Sequence, residues 1–468
     1  MRMVVGESCG RWRSLGAALG LLALTTLISA CAQEPMPEPS SRHAQLLLSA
    51  HAKAPATGAA FGDVVTGLGD VDGDGMRDFA VVAAGARVNF VGGSYDGQAT
   101  VMSGRSGTPL FDLTDPDPQL QQPDRLFGHS LLGLDDLDGD GIGEIAVGAR
   151  RYDGARVDQG RVYVYRGADG SLLRAIDGPP GADAFGNGLA RTDDVDGDGA
   201  RDLLVTAIIG GQAGLVSARS GATLRVFHSP TPFARAFFGW SVAWLGDIDG
   251  DRVGDVALGE IALDANNPDG TRIPGSAGNG HVYLYSGNGT LLGTLVSPSG
   301  QDQSFGFGLT SLSDIDGDGV RDLAIASTLG VSVVSAGRLG APLYTIDTEG
   351  LFFGEVMSSV PDLDCDGVAD LAVSGRDCGP PGAVYLYSGA SGATLLKLTG
   401  LSLKNGARVG RSLSLLDQQP NGAVDFVVGA TGEGDLANEG RALVVRLSSD
   451  SVCKRTHSEP ADIGLAWH

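Results

Sequence analysis

Six times the chain sets three aspartates at alternate positions and adds another carboxylate four residues after the third. The first copy is Asp70, Asp72, Asp74 and Asp78, and the second is Asp136, Asp138, Asp140 and Glu144. The third and fourth are Asp194, Asp196, Asp198, Asp202 and Asp247, Asp249, Asp251, Asp255. The fifth and sixth are Asp314, Asp316, Asp318, Asp322 and Asp362, Asp364, Asp366, Asp370. Four carboxylates within nine residues repel one another unless a hard cation neutralises them. Ca²⁺ takes several oxygens at roughly 2.3–2.6 Å in a flexible shell, which a short acidic loop can supply. Side chains at loop positions 1, 3, 5 and 9 converge if the backbone curls around one point. Position 7 then offers its carbonyl, so its side chain is free to be apolar: Met76, Ile142, Ala200, Val253, Val320 and Val368. Glycine at position 6 (Gly75, Gly141, Gly199, Gly319, Gly367) permits the left-handed turn that curling demands. Arg252 holds that position in the fourth copy, which predicts strain of about 1 kcal/mol or more and weaker binding there. The expectation is Ca²⁺ at about six sites. An EF-hand is excluded, because that loop needs a Glu at position 12 and flanking helices.

The elements that must carry these loops are short apolar, β-prone segments. Each acidic loop runs into one, such as Phe79–Val82, Ile145–Val147 or Leu371–Val373. Nine residues ahead of each loop stands Phe-Gly, at Phe61, Phe127, Phe185, Phe238, Phe305 and Phe353. Downstream come Gly-initiated strands at 160–167, 280–287 and 382–389, then apolar runs such as Leu172–Ile176, Leu291–Val296 and Leu395–Leu398. A seventh, worn copy starts near 409 and reads Asp417, Gln419, Asn421, Asp425, two carboxylates and two amides that make a metal there doubtful. Successive loops start 66, 58, 53, 67, 48 and 55 residues apart. Four strands per copy, named A to D, predict an all-β, seven-bladed β-propeller of four-stranded antiparallel blades, with the acidic loops joining A to B. The run Ala44–Ala50 reads as the missing D strand of the last blade, so the ring is expected to span 44–450.

Phe-Gly, the Asp-rich loop and the Val-Gly-Ala after strand B (147–149, 428–430) resemble FG-GAP repeats. That resemblance covers 61 to about 447. It implies the seven-bladed propeller of integrin α-subunit heads and many bacterial surface proteins, calcium in the A–B loops, and a role in binding or adhesion. It transfers no ligand.

The formal charge is −23, and much of it sits in the 24 carboxylates of the six loops. Six Ca²⁺ would reduce it to about −11, so the cation-free chain is expected to be self-repelling and less stable. No basic stripe points to nucleic acid. Arg2, Arg11 and Arg13 precede an apolar run, Leu15–Ile28, too short to span a membrane with its flanks. Ile28-Ser29-Ala30-Cys31 looks like a bacterial lipobox. Residues 1–30 therefore read as a lipoprotein signal peptide, Cys31 as the lipidated residue, 31–43 as a tether and 451–468 as a C-terminal tail. The expected address is the bacterial cell envelope: an outer-membrane lipoprotein or the cell surface. Of the remaining cysteines, Cys365 lies in an acidic loop and Cys378 lies beyond strand B, too far for a disulfide, whereas Cys453 returns to the loop end.

Antiparallel order puts the acidic loops and C–D turns on one face, and B–C and D–A connections on the other. Long, unequal insertions on that second face are where a partner is expected. Tyr95, Arg151, Tyr152, Phe233 and Arg235 supply the aromatic and arginine character of interface anchors. The expected function is a calcium-stabilised, membrane-tethered module that binds an extracellular or envelope protein or a glycan. A structural part of an envelope complex and a hydrolase-type enzyme are the alternatives. The seven histidines show no metal-ligand spacing, and no Gly-x-Ser-x-Gly elbow or phosphate loop is visible, so no catalytic residue is assigned.

Overall fold

In the computed structural model, the described residues are 44–50, 60–84, 97–116, 126–230, 236–262, 280–298, 304–350, 352–375, 382–399, 407–420, 422–432, 440–447 and 461–464. They form seven sheets, each with an antiparallel four-stranded core, and all their regular elements are strands. Blade one comprises Ala60–Gly67, Phe79–Ala84, Gln98–Met102 and Pro109–Leu113 as strands A to D. Blade two is Phe127–Gly133, Ile145–Ala149, Arg161–Tyr165 and Leu172–Asp177, and blade three Phe185–Arg191, Leu203–Ala207, Gln212–Val216 and Thr223–His228. Blade four is Ala236–Gly246, Asp255–Ala262, His281–Tyr285 and Leu291–Val296, and blade five Gly308–Ser311, Leu323–Ser327, Gly330–Ser335 and Ala341–Asp347. Blade six is Phe353–Val360, Asp370–Gly375, Ala383–Tyr387 and Thr394–Thr399. Blade seven takes Ala407–Gln418, Val424–Gly432 and Arg441–Leu447 as A to C.

Its fourth strand comes from the other end of the chain. Ala44–Ala50 pairs antiparallel with Arg441–Leu447, from Ala44 opposite Leu447 to Ala50 opposite Ala442. The A strands touch in succession around a closed circle, with that of blade seven returning to blade one. Seven apolar clusters hold the ring, one at each junction between neighbouring blades. This is a seven-bladed β-propeller.

The Phe-Gly pair explains how the A strand reaches both the core and the next blade. The phenylalanines are almost fully buried, and Phe127, Phe238 and Phe353 meet C-strand tyrosines of their own blades at ring distances of 5.5–6.4 Å. The following glycine has a positive φ, from 77° to 91°, and the pairing to strand B slips there as a bulge. Its carbonyl then lies against strand B of the preceding blade: a Cβ on Gly148 would sit 2.2 Å from the Gly186 oxygen. A serine completes the contact, as Ser130 Oγ donates to that same carbonyl at 2.8 Å.

Two departures from the sequence expectation stand out. In blade five, Ser304–Phe307 forms a turn, so strand A begins at Gly308 and Phe305 precedes it. The C-terminal tail also contributes structure: Ala461–Gly464 adds a fifth strand to blade six, parallel to Thr394–Thr399.

Candidate metal centres

Each acidic loop joins the end of strand A to the start of strand B, so the hairpin register itself brings loop positions 1 and 9 together. The ninth carboxylate is buried in all six copies: Asp78, Glu144, Asp202, Asp255, Asp322 and Asp370. One of its oxygens accepts the position-2 amide, at 2.7 Å from Val71, Ile248, Ile315 and Leu363 and 2.8 Å from Val195. Leu137 donates to Glu144 in the same way. The first aspartate (Asp70, Asp136, Asp194, Asp247, Asp314, Asp362) accepts the position-6 amide at 2.8–3.0 Å. The position-5 aspartate accepts the amide of position 7, from Met76, Ile142, Ala200, Val253, Val320 and Val368, at 2.8–3.0 Å. The position-3 aspartate accepts the position-5 amide at 3.0–3.3 Å, so backbone donors pin all four carboxylates before any cation is considered.

The pinned groups converge. One oxygen from each of Asp136, Asp138, Asp140 and Glu144 lies within 4.8 Å of the others. The same holds for Asp70, Asp72, Asp78; for Asp194, Asp196, Asp202; for Asp247, Asp249, Asp251; and for Asp314, Asp316, Asp322. Asp74, Asp198 and Asp318 stand outside these groups and turn an oxygen to Arg105, Ser217 and Ser335. Asp255 also stands outside its group and accepts the Gly287 amide at 3.1 Å. Asp364, Asp366 and Asp370 repeat the hydrogen-bond plan in blade six.

The donors fit a hard divalent cation, being oxygens throughout. Glu144 Oε1 and Asp322 Oδ1 are buried without a hydrogen-bond partner. Burial, with the neighbouring aspartates adding to it, pushes the carboxyls of Glu144 and Asp370 up to about 7 and those of Asp202 and Asp255 to about 6, against backbone hydrogen bonds that pull down. Asp78 and Asp322 are raised for the same reasons. A divalent charge at the centre would remove that conflict and hold all four groups ionised.

The seventh copy has gone a different way. Arg446 donates to both oxygens of Asp425 at 2.7 and 2.6 Å, and Gln419 Nε2 donates to Asp417 and Asp425. A guanidinium and an amide there take the place a cation would hold; Asn421 lies outside the described residues.

Two features of the loops escaped the sequence reading. Position 4 also needs a positive φ: glycine supplies it in five loops and Cys365, at 61°, in the sixth. Cys365 is in a disulfide, and the other cysteines lie outside the described residues. The C–D turns also deliver an outer layer of polar partners: Arg105 donates to Asp74 (3.0 Å), Arg166 to Asp138 (2.8 Å) and Asn288 to Asp251 (2.9 Å), and Arg338 forms an ion pair with Asp316 (3.2 Å). Their cue is an Arg or Asn in the turn that leaves the C strand of blades one, two, four and five. The strain expected at Arg252 is present, with φ at 69°.

The anchors expected on the opposite face fare unevenly. Tyr95, Phe233 and Arg235 lie outside the described residues. Arg151 is exposed and 4.0 Å from Asp158. Tyr152 is a correction: it is 6% exposed, stands edge-on to Tyr163 and carries the Arg161 guanidinium 4.0 Å over its ring. The short turn after Ala149 folds it back into the blade one–two core. His129, in strand A of blade two, keeps solvent-exposed surface; the protein crowded around it and then the Arg150 charge lower its imidazole from the usual value.

Residues 127–165 match the FG-GAP repeat family, a stretch that runs from the A strand of blade two to the end of its C strand. The chain carries an FG-GAP repeat. Curated relatives agree with this FG-GAP propeller. Integrin alpha-5 of Xenopus laevis is 26% identical over 42% of the chain and 19% of its own length. Integrin alpha-E of Homo sapiens is 31% identical over 37% of the chain and 15% of its own length. Integrin alpha-3 of Cricetulus griseus is 35% identical over 32% and 14%. The FG-GAP propeller thus matches less than a fifth of the length of each of these relatives.

Proposed function

We propose that this FG-GAP propeller is a non-enzymatic binding module tethered at the bacterial surface through Cys31. Ca²⁺ in the six complete A–B loops stiffens it. The opposite face engages an extracellular or envelope protein or a glycan. The observation that carries the reading is the division of labour between the two faces. One face repeats a single carboxylate plan six times, as a scaffold does. On the other, the B–C connections range from two residues (328–329) to eighteen (263–280). Unequal loops on a rigid ring are where recognition concentrates. Likeness to integrin α chains supports binding or adhesion as the class.

Purified protein spanning 31–468 would be used to capture partners from a lysate, with and without chelator. Joint substitution of Tyr95, Arg151, Phe233 and Arg235 is expected to abolish capture and leave the melting temperature unchanged. Capture that survives these changes but fails on substitution of the acidic loops alone would refute the face assignment. Metal analysis is expected to return about six Ca²⁺ per chain.

A further inference from the structure

We propose that the acidic-loop mouth of the central channel binds a small oxyanion, a phosphate, sulfate or carboxylate group held between Arg191 and Arg321. A cavity of about 270 Å³ opens there between the A strands of blades three, four and five. Its walls include Arg191, Arg201, Arg321, Trp244, Thr310 and Ser311. Arg191, the last residue of its strand, donates one Nη2 to the carbonyl of Gly133, while its Nε is buried with no acceptor. Arg321 is exposed and makes no hydrogen bond or ion pair among the described residues.

The repeat explains why Arg321 is left over. Loops one, three and five carry arginine at position 8, and the first two reach back to the preceding blade. Arg77 meets Asp417 at 3.2 Å, and Arg201 clasps Asp135 through Nη2 and Nε at 2.8 and 3.0 Å. Asp135 stands immediately before loop two; the residue immediately before loop four is Gly246, which has no side chain to receive Arg321. The acidic group on the cavity wall is Asp193, and it accepts the indole Nε1–H of Trp244 at 2.9 Å. Two guanidiniums with spare donors therefore face one space. The hydroxyls of Thr310 and Ser311, which make no hydrogen bond among the described residues, stand beside them. Burial and the Arg201 charge both work against the charged form of Arg191, a cost that an anion would relieve. Guanidinium forks match the oxygens of phosphate, sulfate and carboxylate. At ~30 Å³ per water, the cavity has room for an oxyanion with a short organic body.

The test is calorimetric titration of the full ring with inorganic phosphate, sulfate and glucuronate at fixed Ca²⁺ and ionic strength. Saturable binding is expected, weakened about tenfold or more in Arg321→Gln and in Arg191→Gln, and unchanged in Arg225→Gln on the outer edge of blade three. Unaltered melting of Arg321→Gln, an exposed position, certifies its fold. Preference for the inorganic ions identifies a free anion, and preference for glucuronate identifies an acid sugar; either supports the site. No saturable binding of any of the three, or equal affinity in Arg321→Gln, overturns it.

Discussion

Arg252 tests how strictly the acidic loop depends on its backbone. Its φ of 69° lies in the left-handed region, where its glycine counterparts sit freely at 87–93°, and an L-residue there costs roughly 1–2 kcal/mol. Its amide still donates to Asp247 at 2.8 Å, so the loop holds its shape against that cost. Arg252→Gly is expected to raise stability by about 1 kcal/mol, less the extra chain entropy of glycine, and to tighten the fourth site. Urea unfolding and Ca²⁺ titration check it; an unchanged midpoint with unchanged affinity would mean that the loop absorbs the strain.

Two elements reach across the ring from the chain ends. Ala44–Ala50 is the outer strand of blade seven, with Ala44 and Ala50 buried in the clusters at blades six–seven and seven–one. Deleting residues 42–52 exposes the edge of Arg441–Leu447 and opens both clusters, so the whole ring is expected to melt at lower temperature. Calorimetry decides it, and an unchanged transition would show that the closure contributes nothing. The tail strand Ala461–Gly464 runs parallel to Thr394–Thr399, which leaves the C–D turn on the acidic-loop face. The strand Ala461–Gly464 therefore begins on that same face, where Cys365 lies, with Cys453 eight residues ahead of Ala461 in sequence. Strand B of blade six ends on the other face, and Cys378 follows it by three residues in sequence. Non-reducing peptide mapping is expected to recover Cys365 joined to Cys453; a Cys365–Cys378 peptide would contradict it.

For the molecule as a whole, charge and closure are linked. Ser412 Oγ donates to the Gly62 carbonyl at 2.9 Å and Arg411 pairs with Asp63 at 2.7 Å, so blades seven and one meet as other neighbours do. A ring so joined unfolds together, and a cost in any acidic loop falls on all of it. Without a cation, Glu144, Asp202, Asp255 and Asp370 keep their protons up to about 6 or 7, whereas the unfolded chain releases them near 4. The folded state then binds more protons than the unfolded one. This contribution is complete below the unfolded values and is lost as pH rises through the folded ones. Chelated protein is therefore expected to lose melting temperature between about pH 5 and pH 8, while Ca²⁺-loaded protein stays level and melts higher. Scanning calorimetry across that window, with and without EDTA, is the check. A chelated sample whose transition rises or holds would remove the link between cation and ring.

Much of this was legible beforehand because it is local. The acidic loop needs only nine consecutive residues to specify its curl, and Phe-Gly nine residues upstream marks the approach to each A strand; repeated six times and followed by a worn seventh copy, they dictate blade count and order. The extra strand Ala461–Gly464 was invisible, since four residues without a turn signal acquire their pairing from the edge they meet. Tyr152 read as a loop aromatic until the turn at Ala149 buried it. Arg446 closes the seventh loop from the strand C position directly opposite Asp425 within blade seven, whereas Arg321 left without a carboxylate is a product of registry between blades. Sequence by itself determined the repeating unit, because its chemistry lies within one hairpin. Only the closed ring decided which charges meet between units, because those neighbours are some 50 to 350 residues apart in the chain and share a wall only when the circle is complete.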